Sequence, residues 1–309
     1  MKRFVQVFSS KDRLNIEYIN LSTAFETATD SEKKELTRLV KQMHAGLYCQ
    51  TFTIEQERED VSVWLKMLEK GPLSGQHIYV AFGCNLSTPK PDILGFTIAD
   101  IGGNTNCGLI EYIVRKQGFS SVLKGKDMLS YVEGELNNLN MVLNDCRLKG
   151  IFWEANDPSK LGYDENAPDK NIDCMSPQKR IDLIKKSYGA KELGFDYIQG
   201  PLQECDSPRE VAEKICSNLK LFLFNADSYP DLTAQDIKNY ICRFNKVVNG
   251  ANHPRDLKNP EINKMMDELD VMIKYDIPVL LENQTPKQRT LISQACSHSE
   301  FQKNTGRDL

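Results

Sequence analysis

Between Cys107 and Asn140 the chain passes from an apolar run, Cys107-Gly-Leu-Ile-Glu-Tyr-Ile-Val-Arg-Lys116, through a small-residue loop, Gln117-Gly-Phe-Ser-Ser-Val-Leu-Lys-Gly125, into an amphipathic helix. A strand that enters a helix through such a loop builds an anion cradle. Main-chain N–H groups of Ser120, Ser121, Val122, Leu123, Lys124, Gly125 and Lys126 would point along the helix axis, and the positive end of the helix dipole adds to them. A diphosphate is the ligand that suits this arrangement. Glu111, a carboxylate inside the preceding apolar run, would lie a few residues away.

The 309 residues, 40% of them hydrophobic, suffice for one large domain or two modest ones with a real core. Net charge is −4 and the charges are mixed rather than blocked, which gives no footprint for nucleic acid or for an anionic membrane. A small cationic partner fits better. The 9 cysteines are scattered, with no Cys-x-x-Cys pair, and read as reduced, mostly small core residues rather than a disulfide or zinc framework. His44, His77, His253 and His298 show no ligand spacing, so no metal is expected. No apolar run reaches membrane-spanning length and the N-terminus carries no signal-like stretch, so the expectation is a cytoplasmic protein, monomeric or homodimeric.

Along the chain, Phe4 to Thr23 reads as one or two strands. Helices follow on Leu36, Leu39, Val40, Met43, Leu47 and on Val61, Trp64, Leu65, Leu68. Three strands are expected over His77–Phe82, Ile93–Ile101 and Leu109–Val114, the first two joined as a hairpin around Ser87 to Pro91. A helix carries Leu129, Val132, Leu136, Leu139 and Leu143. Gly150–Asn156 is a strand, and a polar insertion runs from Asp157 to Met175. Ser176-Pro177 opens a helix closed by Gly189, Lys191–Gln199 and Leu219–Phe224 are strands, and helices begin at Thr233 and Asn259-Pro260. The end of the chain, from about Asn283, is polar.

This order of elements resembles the GNAT superfamily of acyl-CoA-dependent N-acyltransferases. Leu47-Tyr-Cys-Gln-Thr-Phe-Thr-Ile-Glu-Gln-Glu-Arg58 is similar to the first helical linker of a bacterial GNAT branch. Gly108–Val114 is similar to its central strand, and Ser187-Tyr-Gly-Ala-Lys-Glu-Leu-Gly-Phe-Asp-Tyr-Ile-Gln-Gly-Pro-Leu202 to its closing helix-to-strand segment. The likeness runs from about Ser31 to Phe224. In the pyrophosphate loop of the superfamily an Arg or Gln is followed three places on by Gly and two further by Gly or Ala. The corresponding places here are Ser120, Leu123 and Gly125, so the loop is degenerate, and Lys124 and Lys126 would offset the loss with charge.

The resemblance implies a mixed, mostly antiparallel α/β sheet flanked by helices. Residues 1–230 would form the acyltransferase-like domain, 231–282 a helical extension packed on it, and 283–309 a polar tail. It also implies transfer of an acetyl group from acetyl-CoA, or another acyl-CoA, to a primary amine on a small molecule or peptide by direct attack in a ternary complex. The second reading is a non-catalytic acyl-CoA-binding sensor or scaffold. Acyl transfer from a thioester needs a proton acceptor, a clamp on the carbonyl oxygen and a proton for the departing thiolate. Glu111 is the candidate base, the main-chain amides of Ile113, Val114 and Arg115 the clamp, and Asn156 a partner for the pantetheine. The superfamily's acid is a Tyr four residues before the helix-ending Gly. That place is Lys185 here, with Tyr188 three residues on, and both stay open as the acid. Glu55, Glu57, Glu59 and Asp60 would draw a cationic amine.

Overall fold

Apolar residues along the strands account for much of this fold, with Ile78, Val80, Phe82, Phe96, Ile98 and Val114 joining one buried cluster. The computed structural model describes residues 3–8, 13–51, 59–71, 76–85, 92–119, 123–160, 176–202 and 204–294. The Ser87 to Pro91 hairpin loop, residues 161–175 of the polar insertion and the end of the chain beyond 294 lie outside the described residues. The chain divides into two units, Met1–Ile101 with Gly108–Arg147 and Glu165–Ser176, and Gly102–Cys107 with Leu148–Asp164 and Pro177–Leu309. The fold is a mixed α/β one, and the described strand pairings within each unit are antiparallel.

In the first unit β1 (Arg3–Phe8), β2 (Arg13–Asn20), β3 (Gln76–Asn85), β4 (Asp92–Ile101) and β5 (Cys107–Arg115) pair in sequence order. Between β2 and β3 come α1 (Leu21–Thr27), α2 (Asp30–Met43), a π-helical turn (His44–Tyr48), the short α3 (Cys49–Thr51) and α4 (Val61–Lys70). A capping box sets the start of α2: Thr29 accepts from the Glu32 amide, and the Glu32 carboxylate accepts from the Thr29 amide at 2.8 Å. Asp60 caps α4 by accepting from the Ser62 amide at 2.8 Å. The helices bury Leu21, Val40, Met43, Tyr48, Trp64 and Leu68 against Ile78, Val80, Phe82, Phe96, Ile98 and Val114 of the strands.

The opposite sheet face receives α5 (Gly125–Asn144), which buries Met128, Leu129, Tyr131, Val132 and Leu136. Close approach requires Gly95. A Cβ there would lie 2.7 Å from the Val114 carbonyl oxygen and 3.1 Å from the side chains of Leu123 and Met128. Tyr131 instead stacks on Tyr18 of β2, with ring centroids 5.0 Å apart.

In the second unit β6 (Gly150–Asn156) pairs with β8 (Leu219–Leu223), which pairs with β7 (Lys191–Glu192). With them belong the helices α6 (Pro177–Tyr188), α7 (Pro208–Lys214), α8 (Ala234–Asn249) and α9 (Pro260–Lys274). The strand expected over Lys191–Gln199 is much shorter, because the backbone leaves the ladder after Glu192. The Leu193 amide still bonds to the Leu221 carbonyl, but the Gly194 amide turns to Val279, the Asp196 amide to the Glu268 carboxylate at 2.8 Å, and Ile198 to Met265. Ser207 caps α7, a helix too short to show an apolar stripe. Past Asn283 the chain is helical over 286–294 and buries Ile292. No helix among the described residues is long and apolar enough to cross a membrane.

Candidate active site

Glu111 occupies a break in the strand register. Ile98 of β4 faces Tyr112 of β5 and Ala99 faces Ile110, which leaves Glu111 as an extra residue between two paired neighbours. Such a bulge bends a strand and re-aims the side chain that makes it. The Glu111 carboxylate is half-buried, and its Oε1 accepts a hydrogen bond from Gln76 Nε2 at 3.3 Å. Beyond the bulge Ile113, Val114 and Arg115 return to regular register against Thr97, Phe96 and Gly95. Val114 is buried and Arg115 is exposed, with Arg115 Nη1 donating to the Leu123 carbonyl at 3.2 Å.

That last bond ties the end of β5 to the entrance of α5. Lys116, just past β5, pairs instead with Asp92 at the start of β4 at 2.7 Å. Ser120, Ser121 and Val122 lie outside the described residues. Leu123 is 0% exposed, its amide donates to the Phe119 carbonyl at 2.8 Å, and its side chain packs inward where Gly95 leaves room. Lys124 is the N-cap residue, and its side chain makes no capping bond. The first-turn amides at Gly125 and Lys126 therefore have no partner from the cap side chain and, by helix geometry, none within the helix. Gly125 is buried, whereas Lys124 and Lys126 are exposed. The start of α5 therefore carries two flanking ammonium groups, Lys124 and Lys126, and one exposed first-turn carboxylate, Asp127.

On the other side of β5 lies a cluster that joins the π-helical turn to α4. The Tyr112 hydroxyl donates to the Tyr48 oxygen, and the two rings meet edge to face with centroids 5.2 Å apart. The Tyr48 oxygen also accepts from the Glu59 amide at 3.0 Å. The Glu59 carboxylate accepts from Trp64 Nε1 at 2.7 Å, and burial pushes its pKa up against the opposing pull of that bond and of His44. Burial likewise raises the phenols of Tyr112 and Tyr48, with Glu59 adding to each rise. Both phenols stay protonated near neutral pH. Glu55 and Glu57 lie outside the described residues, while Asp60 is turned to its capping role and its carboxyl is lowered by the Ser62 bonds.

Asn156, Lys185 and Tyr188 belong to the second unit. Asn156 ends β6 opposite Leu219 and is half-buried. Lys185 pairs with Glu192 of β7 at 2.9 Å and lies over the Phe222 ring at 5.4 Å. Tyr188 packs its ring on Trp153 of β6 at 5.5 Å. Glu192 also receives Lys220 at 2.7 Å, and its carboxyl is held below the ordinary range by the two lysines despite burial. Among the described residues no group of three or more His, Cys, Asp or Glu side chains is placed to hold a metal ion.

Sequence reasoning did not find Gln76, Tyr48, Trp64 or Tyr112 as parts of a polar network. Trp64 was legible only as an apolar helix position, Tyr48 as the start of a polar helix-to-helix link and Tyr112 as a member of an apolar run. A buried Tyr or Trp needs a partner for its polar atom, and Glu59, the last acid before Asp60 at the start of α4, was the available signal.

No family model matches the chain, and no curated protein matches it. Among solved structures it is similar to a protein from Desulfovibrio desulfuricans assigned to the GNAT family of acetyltransferases, with 11% identity and a TM-score of 0.33 over 68% of this chain and 96% of that one. It is also similar to the aminoglycoside 6'-N-acetyltransferase from Enterococcus faecium, with 12% identity and a TM-score of 0.35 over 64% of this chain and 94% of that one.

Proposed function

We propose that this chain is an N-acetyltransferase that moves an acetyl group from acetyl-CoA to a primary amine. The observation that carries the reading is the continuity of one segment. β5 bulges at a half-buried carboxylate, Glu111, and then leads through a tied loop into the uncapped, lysine-flanked start of α5. An acid and an anion cradle on consecutive elements are what transfer from a nucleotide-bearing thioester to an amine requires. The Gly125 and Lys126 amides would hold the diphosphate, with the Lys124 and Lys126 ammonium groups adding charge.

Acetyl-CoA supplies the activated acyl group when bound. The residues of this chain handle the proton and the acceptor. A neutral amine attacks the thioester carbonyl carbon, Glu111 takes the proton that the nitrogen loses, the carbon–sulfur bond breaks, and the departing thiolate takes that proton from Glu111 to leave as the thiol. Gln76 fixes the Glu111 carboxylate while it waits. When ionised, Glu59, which acts on Tyr112 next to Glu111, would favour a cationic acceptor. The test is release of free thiol from acetyl-CoA across a panel of polyamines, aminoglycosides and peptide N-termini. Amine-dependent release supports the reading, and release no faster than the uncatalysed blank with every amine counts against it.

A further inference from the structure

His44 and Cys49 are five residues apart, a spacing that in an α-helix would set their side chains about 140° apart around the axis. The π-helical turn changes this. The Cys49 amide bonds to the His44 carbonyl, one residue further back than an α-helix allows, so the two side chains come into line. Cys49 Sγ lies 3.6 Å from His44 Nδ1. On the far side of the ring His44 Nε2 lies 2.8 Å from the Glu59 carbonyl oxygen. A carbonyl can only accept, so Nε2 carries the hydrogen and Nδ1 presents its lone pair to the thiol.

The ring is also held in place. It packs against Tyr48 with centroids 5.1 Å apart and meets the edge of Trp64 at 4.9 Å. The Glu59 carboxylate, anchored by Trp64, is close enough to interact with a charge on His44. Nucleophile, base and orienting group are therefore present in the order that thiol catalysis uses. Cys49 is half-buried and packs on the apolar cluster that includes Val114 of β5, next to Tyr48 and its partner Tyr112.

We propose that Cys49 is a nucleophilic thiol with His44 as its base, and that it accepts an acyl group from a thioester to form an S-acyl protein. The natural donor named here rests on the acetyl-CoA reading above. In the step, the Cys49 proton passes to His44 Nδ1 and the sulfur attacks the thioester carbonyl carbon. The donor carbon–sulfur bond then breaks, and the departing thiolate takes the proton back from His44. One thioester is exchanged for another, so no oxidant or reductant enters.

The test uses the full chain and two donors: acetyl-CoA, and the acetyl thioester of N-acetylcysteamine, which lacks the nucleotide and its diphosphate. The expected result is a mass gain of one acetyl group on the peptide containing Cys49, removed by hydroxylamine and lost in Cys49→Ser. Iodoacetamide should alkylate Cys49 ahead of Cys205 and Cys216 in the unaltered protein, and about tenfold more slowly in His44→Gln. Should His44→Gln not fold, the order of alkylation in the unaltered protein decides. Labelling by the small thioester without any binding of acetyl-CoA would keep the thiol and remove the CoA reading. Amine turnover with Cys49 unlabelled by both donors, or alkylation of Cys49 no faster than of Cys205, would overturn the proposal and leave the transferase reading in place.

Discussion

Glu111 is the residue by which β5 outruns β4, and its Oε1 accepts a hydrogen bond from Gln76 Nε2 at 3.3 Å. The bulge takes the carboxylate out of the ladder, and the amide holds it. Glu111→Gln keeps the size and the partner but removes the proton acceptor. Acyl transfer is expected to fall about a hundredfold with affinity for acetyl-CoA unchanged. Steady-state kinetics paired with calorimetry checks this, and equal loss of affinity and rate would show a structural role instead.

Trp64 Nε1 donates to the buried Glu59 carboxylate at 2.7 Å. In Trp64→Phe the ring packing against Tyr48 and Phe96 largely survives while the donor is lost. The variant is expected to be less stable by about 1–3 kcal/mol in urea unfolding, the cost of leaving a buried acceptor short of a partner.

Leu123 and Gly95 form a matched pair on the α5 face of the sheet. Gly95→Ala drives a Cβ to 2.7 Å from the Val114 carbonyl oxygen, which belongs to a strand that cannot shift freely. The expected cost is about 1–3 kcal/mol. Leu123→Ala empties a site that is 0% exposed and should cost about 2–5 kcal/mol. Thermal melts of the two single variants and the double variant would show non-additive losses, because the residues touch.

Glu268 of α9 is 2% exposed and accepts from the Asp196 amide at 2.8 Å, with Lys264 at 3.7 Å. Burial, helped by the neighbouring Asp196 charge, raises its carboxyl from 4.5 to about 7. The native state therefore binds this proton more tightly than the unfolded chain does. Its contribution is complete below about pH 4.5 and is lost as pH rises through about 7, on the order of 3 kcal/mol in all. Urea titrations across that window should show stability falling with pH on this account, and Glu268→Gln should flatten the slope.

The strands and long helices were legible because their signals are local. Short apolar runs marked β3 to β6, and Ser, Thr and Asn caps marked α6, α8 and α9. The strand expected to Gln199 stopped at Glu192 because the following amides find better acceptors in α9 and near Val279, a choice that depends on residues far along the chain. Within the candidate site, Glu111 and the start of α5 were readable from an acid in an apolar run and a loop before a helix. The bulge was not, since register is set by the partner strand. The alignment of His44 with Cys49 was hidden for a similar reason: a π-helical turn leaves no periodic mark in five residues.

In the proposed reaction the start of α5 holds the diphosphate of an acyl-CoA. Calorimetric titration of acetyl-CoA into the chain, and into the Lys124→Ala, Lys126→Ala double variant, tests it most directly. Saturable binding that weakens about tenfold or more in the double variant, and weakens further with added salt, is the expected result. Absence of binding, or binding that ignores both lysines and salt, would contradict the account.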